Sequence, residues 1–430
     1  MTKLKIGAAH IPVALDEGCF PSTEAVGQHD EIAVRVLIME TDRRYALMSV
    51  DTPSMFPPDL AFCRRLLKET ADVEPENAFI AATHNFSAPH VWPVEPEHAA
   101  EFGYRLPPAL RDDAEKRRIA ARVNAAFRAA YTAAVRQSAA ALRPARVGFG
   151  SGSCAVNVNR NMETAEGWWQ GVDMDGFADR TLSVLRFDDL AGEPVALVYN
   201  YSVQPSCCAG EIRDGGRLVS GDLTGYASAY LEREYPGCTA IFLAGATNDQ
   251  VPLFKINYFE TDRNGVLRSG SLGETGYVLA GEQGRLLGAS VLKVARGIAA
   301  AEDAPVLRTA RSAYVCRRQK RDGSGRLRHP VRAYSFQPDG ECTLTAEVMQ
   351  IGNVAIAALA PELDGRTVAE LREASPFAKT MVATFVNGEG KSMPQTAAYR
   401  LCQYGLANSP FAEGSAERAR DAALGLLRSL

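Results

Sequence analysis

The 430-residue sequence lacks the features that mark several large classes of protein. It has no Cys-x-x-Cys pair, and its nine cysteines are an odd number without regular spacing, which excludes a disulfide scaffold and predicts reduced thiols. It has no uninterrupted run of about 18 apolar residues, so no membrane-spanning helix is predicted. Its 47 basic and 51 acidic residues nearly cancel, which argues against nucleic acid as a partner.

The composition is that of a globular, enzyme-sized chain, with 46% hydrophobic and 23% charged residues. Near the start, His10, Pro12 and Asp16 interrupt the apolar run, so we predict no secretory signal and expect the protein in the cytoplasm. The expected partner is a small-molecule substrate, and nothing in the sequence indicates an oligomeric state.

Short apolar, β-branched runs alternate with helical periodicity along the chain, which predicts a mixed α/β (α+β) fold with helices packed on a mixed β-sheet. We expect one domain over residues 1–430, because no repeat or low-complexity linker divides it. The predicted strands are 33–40, 45–50, 78–82, 182–187, 195–201, 239–244, 344–350, 354–359 and 381–386. The predicted helices are 60–69, 111–142, 224–235, 282–300 and 416–427.

Two further segments have patterns without a simple assignment. The glycine-rich run 148–152 matches neither a dinucleotide-binding loop nor a nucleophile elbow, and we interpret it as a bend between strands. The arginine-rich stretch 317–332 is interpreted as a long surface hairpin rather than a domain boundary.

The chain has six histidines, and His84 is notable because it directly follows the predicted strand 78–82. Three other predicted strands also run straight into polar turns, which carry Gln204, Asp249 and Glu362. If these strands are neighbours in the sheet, the three side chains converge on His84, since strand ends often line sites in sheet-based enzymes. The cysteines at 154, 207 and 208 could supply a thiolate, but no histidine is near them in sequence, so buried thiols are preferred.

An ordered set of segments is spread over the chain. The segments begin with Lys5 to Pro12 and Gln28 to Asp30, followed by Ala82-Thr83-His84-Asn85-Phe86-Ser87. They continue through 156–161, 200–205, 217–227, 245–252, 361–362 and 387–394. In order and spacing this set resembles the catalytic domain of the neutral (non-lysosomal) ceramidase family. The similarity covers nearly the whole chain, whereas the family's secretion signal and immunoglobulin-like C-terminal domain have no counterpart in it.

The resemblance implies a zinc amidase that hydrolyses an N-acyl bond. In such an enzyme the metal lowers the pKa of its bound water, and the resulting hydroxide attacks the amide carbonyl. Carried over residue by residue, two zinc ligands of the family are His84 and Glu362, and Arg160 and Asp249 are retained. Gln204 stands at the position of a ligand histidine and Ser392 at that of a ligand tyrosine. Phe86 replaces a second histidine of the first motif.

These departures leave the metal open. Amide and hydroxyl oxygens are weaker zinc ligands than imidazole and phenolate, so His84 and Glu362 alone would not hold zinc tightly. Another metal that prefers oxygen ligands is one alternative, and a site without metal is a second. The third is a substitute ligand, for which the candidates are His90, Asp222, Cys207, Cys208 and Asp249.

The first hypothesis is a ceramidase-like hydrolase that cleaves an amide or other C–N bond of a small soluble substrate. His84 and Glu362 would be metal ligands or an acid–base pair, and Arg160 would bind a carboxylate or stabilise an oxyanion. The alternative is a metal-independent lyase or isomerase, with His84 as base, Asp249 as its orienting partner and Arg160 as electrophile. A degenerate ligand-binding protein is the third possibility.

Overall fold

The computed structural model describes residues 2–102, 106–210, 212, 216–323 and 327–430. The strands are β1 (Lys5–Pro12), β2 (Gly27–Gln28), β3 (Ala33–Glu40), β4 (Arg44–Val50), β5 (Val73–Ala82), β6 (Arg143–Ser153), β7 (Asn157–Thr164), β8 (Gly167–Asp173), β9 (Thr181–Asp189), β10 (Pro194–Tyr201), β11 (Leu218–Val219), β12 (Thr239–Ala244), β13 (Gln250–Pro252), β14 (Asn257–Thr261), β15 (Leu267–Ser271), β16 (Leu307–Arg321), β17 (Phe336–Ile351), β18 (Val354–Leu359), β19 (Glu362–Leu363), β20 (Lys379–Ala383) and β21 (Ser392–Met393). The helices are α1 (Pro57–Ala71), α2 (Pro96–Phe102), α3 (Pro108–Arg111), α4 (Ala114–Ala140), α5 (Asp222–Glu234), α6 (Thr275–Arg296), α7 (Gly365–Glu373), α8 (Thr396–Leu401) and α9 (Ser415–Ser429), with short 3-10 turns at Glu17–Cys19 and Tyr404–Asn408.

Eight strands form the larger sheet, in the order β12-β10-β9-β6-β1-β3-β4-β5. Most neighbours are antiparallel, but β4 pairs with β5 and β10 pairs with β12 in parallel. The mixed α/β fold predicted from the sequence is confirmed, as is the predicted antiparallel pair of β3 and β4.

A second sheet, in the order β16-β17-β18-β20, packs face to face against the first. The core between them joins Leu37, Leu47 and Ile241 of the larger sheet with Met349 and Ile356 of the smaller. All five side chains are fully buried, and each contributes about 1.5–3 kcal/mol of transfer free energy.

Helices cover the outer face of each sheet. The predicted long helix is α4, which buries Val123, Phe127 and Tyr131 in the same core as Val36 and Met48 of the larger sheet. Helices α5 and α6 share the core of β9, β10 and β12, and α7 and α9 share that of the smaller sheet. The layers therefore run helix, sheet, sheet, helix. The sequence predicted helices packed on a mixed sheet, but it did not predict the second sheet.

The interpretation of residues 148–152 as a bend is wrong, because they lie inside β6. Gly148, Gly150 and Gly152 share one face of that strand, and Ile298 and Val294 press against this face. A Cβ atom at any of these glycines would come within 2.6–2.7 Å of those side chains. The glycines therefore serve close helix-on-strand packing rather than chain reversal.

The arginine-rich stretch 317–332 belongs to a hairpin, as predicted, because it contains the end of β16 and the chain that leads to β17. Strands β16 and β17 pair antiparallel from Leu307↔Ile351 out to Arg321↔Phe336, and part of the connection between them lies outside the described residues. Across the described ranges, none of the helices has both the length and the apolar character that a bilayer crossing requires.

Candidate active site

His84 lies at the carboxyl end of β5 in a conformation that fixes its ring. Its backbone adopts a φ of 60°, a left-handed conformation that is unusual for a residue other than glycine and is frequent at functional sites. The imidazole stacks on Phe385 with ring centroids 3.7 Å apart, and Phe86 contacts it edge-on at 4.7 Å. With 5% of its surface exposed, the ring is held in one orientation.

The tautomer of His84 follows from its hydrogen bonds. Nδ1 lies 2.7 Å from the Pro53 carbonyl oxygen, which can only accept, so Nδ1 carries a proton. In the neutral ring Nε2 is then the atom with a lone pair, and it is free to take up a proton or to bind a metal.

Gln204 and Glu362 meet His84 at Nε2. The Gln204 Nε2 atom lies 3.1 Å from His84 Nε2 and 3.1 Å from Glu362 Oε1, and the last two atoms are 3.2 Å apart. The two amide hydrogens of Gln204 can satisfy both acceptors at once. The Gln204 amide therefore links the imidazole to the carboxylate.

Glu362 enters the site from the short strand that follows β18 of the smaller sheet. It forms strand β19, which pairs in parallel with β21 so that Glu362 lies beside Ser392. Burial opposes ionisation of its carboxyl group, but the charge and hydrogen bond of His84, together with the charge of Arg160, hold the pKa of Glu362 below its ordinary value. Glu362 is therefore an anion in a buried setting.

Arg160 projects from β7, where its backbone N–H donates to the Asp249 carbonyl oxygen at 2.8 Å. Its guanidinium donates to Asn248 Oδ1 at 3.2 Å and lies 5.8 Å from the centre of the Tyr404 ring. The Nε–H of this arginine is buried without a hydrogen-bond partner, although only 8% of the residue is exposed. The guanidinium is therefore bonded to Asn248 through one N–H, while its Nε–H has no hydrogen-bond partner.

The structure does not join Asp249 to His84 as the acid–base alternative assumed; the orienting contact of His84 belongs to Pro53. Asp249 instead accepts hydrogen bonds from the Gly365 N–H at 2.7 Å and from Asn159 Nδ2 at 3.2 Å. Burial raises the pKa of Asp249, and burial together with the nearby Asp249 charge raises that of Asp364. The position of Asp249 is structural, next to the strand that carries Arg160.

The substitute metal ligands considered from the sequence have other partners. His90 pairs with Glu24, and Asp222 caps the backbone of Cys207 and Cys208. Burial raises the pKa of both thiols, which makes them unreactive.

Ser392 also has its partners already. Its hydroxyl donates to Asn248 Oδ1 or to the Gly405 carbonyl at 2.9 Å, rather than facing His84.

The acid–base group opens into a cavity of about 620 Å³. The charged residues of its wall are four cations and one anion: Arg160, Arg217, Lys255, Lys391 and Glu362. Its remaining wall includes Phe86, Gln170, Ser206, Asn257, Phe259, Tyr404 and Asn408. The volume suits a small molecule, and the wall is about half polar and half apolar.

Sequence reasoning missed Lys255 and Asn248. Lys255 lies three residues past the segment 245–252, in a loop anchored where the Ile256 N–H donates to the Cys207 carbonyl at 2.7 Å. Loss of hydration and the nearby charge of Arg160 lower the pKa of Lys255 to about 8. No local pattern marks this lysine, because its role depends on a cavity built from distant strands.

Comparison with solved structures identifies the class of fold. A structure described as ceramidase complexed with C2 superposes with a TM-score of 0.72 at 17% sequence identity, covering 100% of this chain and 76% of that one. A crystal structure of neutral ceramidase from Pseudomonas aeruginosa gives 0.71 at 16% identity, covering 100% and 75%. The chain therefore has a neutral-ceramidase-like fold. No family model and no curated protein sequence matches it.

The fold implies a zinc ion, so the donor set must be tested for it. The sides of the His84–Gln204–Glu362 triangle, 3.1–3.2 Å, are near the roughly 3.3 Å that separates ligands around a tetrahedral ion with bonds of about 2 Å. The chemistry is less suitable, because catalytic zinc takes three ligands from His, Cys, Asp and Glu, and here the third is a neutral amide. No cluster of three such residues occurs within the described ranges. These residues do not fit a resident zinc ion.

Proposed function

We propose that this protein is a hydrolase that cleaves an amide or other C–N bond of a small, polar substrate by acid–base chemistry. The observation that carries the proposal is the locked His84 ring, whose Nδ1 is bonded to Pro53 and whose Nε2 faces the Glu362 carboxylate. The neutral-ceramidase-like fold supports the reaction class at the level of the scaffold.

His84 and Glu362 act together as the acid–base pair. A proton taken up on His84 Nε2 arrives 3.2 Å from Glu362 Oε1, so the imidazolium forms next to a negative charge. The carboxylate stabilises that imidazolium, and the Pro53 carbonyl keeps the ring in place during the transfer.

The proposed reaction begins with a water molecule that gives its proton to His84 Nε2 as its oxygen forms a bond to the substrate carbonyl carbon. The C–N bond then breaks, and the nitrogen leaves with the proton that His84 returns. Arg160 faces the same cavity and holds negative charge on the substrate, while Gln204 keeps the acid–base pair aligned. No step uses a metal, since the donor set does not fit zinc.

The cavity argues for a small polar substrate rather than a lipid. Charged and amide side chains form about half of its wall, and its volume is about 620 Å³. Organisation of residues 1–430 as one catalytic domain and residence in the cytoplasm stay predictions.

The test is amine release from a panel of small N-acyl compounds, measured with an amine-reactive dye. We expect His84→Ala to lower kcat/KM for any compound that is cleaved by about 10²–10⁴-fold, which is the usual contribution of a general base. Glu362→Gln should reduce kcat more than it changes KM. The matched control is His329→Ala, which removes an exposed histidine away from the cavity. Full activity of His84→Ala would refute the proposal.

The same preparation tests the metal. Protein purified without a chelator or histidine tag should contain no stoichiometric transition metal by plasma mass spectrometry, and activity should survive dialysis against EDTA. Stoichiometric zinc that is lost in His84→Ala and Glu362→Ala would contradict the metal-free mechanism. Turnover that depends on His84 but releases no amine would instead favour the lyase or isomerase alternative.

A further inference from the structure

The cavity has an excess of positive charge that the acid–base reaction does not need. Four cationic side chains and one carboxylate line it, although the whole chain carries a net charge of -4. The positive charge is therefore concentrated at the cavity and is not a property of the protein as a whole.

Two of the four cations have partners on the protein. Lys391 Nζ lies 2.6 Å from the Glu389 carboxylate. The Arg217 guanidinium donates to the backbone carbonyls of Glu24 and Phe86, and the Glu24 charge lies close by. Neighbouring groups of the protein therefore stabilise the charges of Lys391 and Arg217, and neither charge requires a ligand.

Arg160 and Lys255 form the other pair, and neither has an anion of the described chain within ion-pair distance. Among the described residues, no carboxylate oxygen lies within 4.0 Å of either cationic group. Arg160 uses one N–H on the neutral Asn248 amide and leaves Nε–H unbonded. The two cations also repel one another, since Arg160 disfavours the charged form of Lys255.

Such an arrangement is costly without a ligand. A buried cation loses hydration free energy that a partner anion normally restores, and a second cation beside it adds to the cost. Of the two nearby carboxyl groups, Asp364 is largely neutral at pH 7, because burial and the Asp249 charge raise its pKa to about 8. Asp249, with a pKa of about 6, is ionised, but it forms no ion pair within 4.0 Å of either cation and accepts hydrogen bonds from a backbone N–H and a side-chain amide instead. An anion bound between Arg160 and Lys255 would remove both penalties.

The space beside the two cations suits a small anionic group. A recess of about 30 Å³ adjoins the main cavity. Its polar lining is Arg160, Lys255, Gln170 and Asn257, and apolar side chains that include Val251 and Phe259 form the larger part of its wall. Side-chain amides next to a guanidinium and an ammonium provide several donors for the oxygens of a carboxylate or phosphate.

We propose that Arg160 and Lys255 form a binding subsite for a permanent oxyanion of the substrate, a carboxylate or a phosphate. The substrate class is then an amide that carries such a group, and a neutral lipid amide would leave both cations unpaired. The inference rests on the proposed function only in treating the bound anion as part of a hydrolysed substrate.

The test is calorimetric titration of the full-length protein with malonate, inorganic phosphate and the neutral analogue malonamide at constant ionic strength. We expect malonate or phosphate to bind and malonamide not to bind, and the tighter of the two anions identifies the preferred oxyanion. Lys255→Met, which keeps the aliphatic stem, should weaken binding at least tenfold, and Lys255→Arg should restore most of it. The control Lys320→Met removes the same charge from an exposed site on β16 and should change nothing.

The outcomes separate the subsite from the reaction. His84→Ala should bind the anion as wild type does and lose amide cleavage. Anion binding that depends on Lys255, in a protein that releases no amine, would support the subsite and refute the proposed function. Absence of anion binding, or equal affinity in Lys255→Met with unchanged thermal unfolding, would overturn the subsite. If Lys255→Met unfolds, the Lys255→Arg and Arg160→Lys variants give the same comparison.

Discussion

Two buried arginines, Arg35 and Arg160, carry the same charge but differ in their hydrogen-bond and ion-pair partners. They are exposed to similar extents, 5% and 8%. Arg35 binds Glu232 through two hydrogen bonds of 2.9 and 3.2 Å and lies 3.5 Å from an Asp51 oxygen. Arg160 has one hydrogen bond, to the Asn248 amide, and a free Nε–H.

This difference distinguishes an arginine that stabilises the fold from one that is placed to bind a ligand. Arg35 connects β3 to α5 through its ion pair with Glu232. This pair balances the charge of Arg35, so the buried arginine needs no ligand. Arg160 faces a cavity and, among the described residues, forms no ion pair with a carboxylate within 4.0 Å. A buried cation without its anion is what a binding site for an anion requires before the ligand arrives.

The largest effect should come from breaking the paired arginine. Arg35→Met leaves Glu232 and Asp51 as buried carboxylates without their cation, so we expect a loss of about 3–5 kcal/mol in the free energy of unfolding. Urea denaturation followed by circular dichroism measures it. A loss below about 1 kcal/mol would mean that the ion pair is not structural.

A second prediction uses Asp59, a buried carboxyl group away from the cavity, in α1. Burial raises the pKa of Asp59 to about 7, and its Oδ1 has no hydrogen-bond partner. Because the native state holds this proton more tightly than the unfolded chain, wild type should lose stability relative to Asp59→Asn as the pH rises from about 4 to 7. The difference should level off above pH 7 at about 4 kcal/mol, since a shift of about three pKa units is worth about 1.36 kcal/mol per unit. Parallel urea curves for the two proteins at all pH values would contradict this prediction.

A third change converts Arg160 into a paired arginine. Asn248→Asp places a carboxylate at the atom that accepts the Arg160 hydrogen bond at 3.2 Å, while the Ser392 hydroxyl can still donate to it. The second oxygen replaces the Nδ2 atom that donates to Asp364 Oδ1 at 2.6 Å, and the Asp364 carboxyl, whose pKa is raised to about 8, can carry the proton of that contact instead. The new internal anion competes with a bound one, so we expect malonate affinity to fall about tenfold, or by about 1.4 kcal/mol. Unchanged calorimetric affinity in a folded variant would show that Arg160 does not contact the anion.

The smallest effect is the pH dependence of anion binding. Lys255, with a pKa of about 8, loses its proton as the pH rises through that value, and the anion loses one of its two partners. Malonate affinity should therefore be constant below about pH 7 and fall several-fold by pH 9. Lys255→Met should bind weakly at both pH values, and the same pH dependence in that variant would assign the titration to another group.

Much of the fold follows from local patterns. Strands such as β3, β4 and β12 were predicted because β-branched and apolar residues fill them continuously, and α4 because its apolar residues recur every four positions. The error at 148–152 arose because glycine is typical of bends, whereas here it makes room for α6 and the residues that follow it. Close packing between distant segments leaves no local signal.

The candidate site was predictable to a lesser extent, for a related reason. His84 and Glu362 follow strands and match a family motif, so the sequence marks them. Lys255 and the Pro53 carbonyl carry no motif, and they reach the site through loops of different sheets. The structure shows no hydrogen bond between Asp249 and His84, and the Pro53 carbonyl orients the ring instead. The order of the strands could not predict this, because it does not determine which backbone atom lies next to the imidazole.

The most direct measurement compares the unfolding free energy of wild type and Arg160→Met at pH 7, without and with saturating malonate. We predict that the variant is at least as stable as wild type without anion, because the unbalanced charge is gone, and that malonate stabilises wild type alone. A variant that is several kcal/mol less stable, together with no gain from malonate in wild type, would show that Arg160 is a structural arginine like Arg35 and would contradict the account.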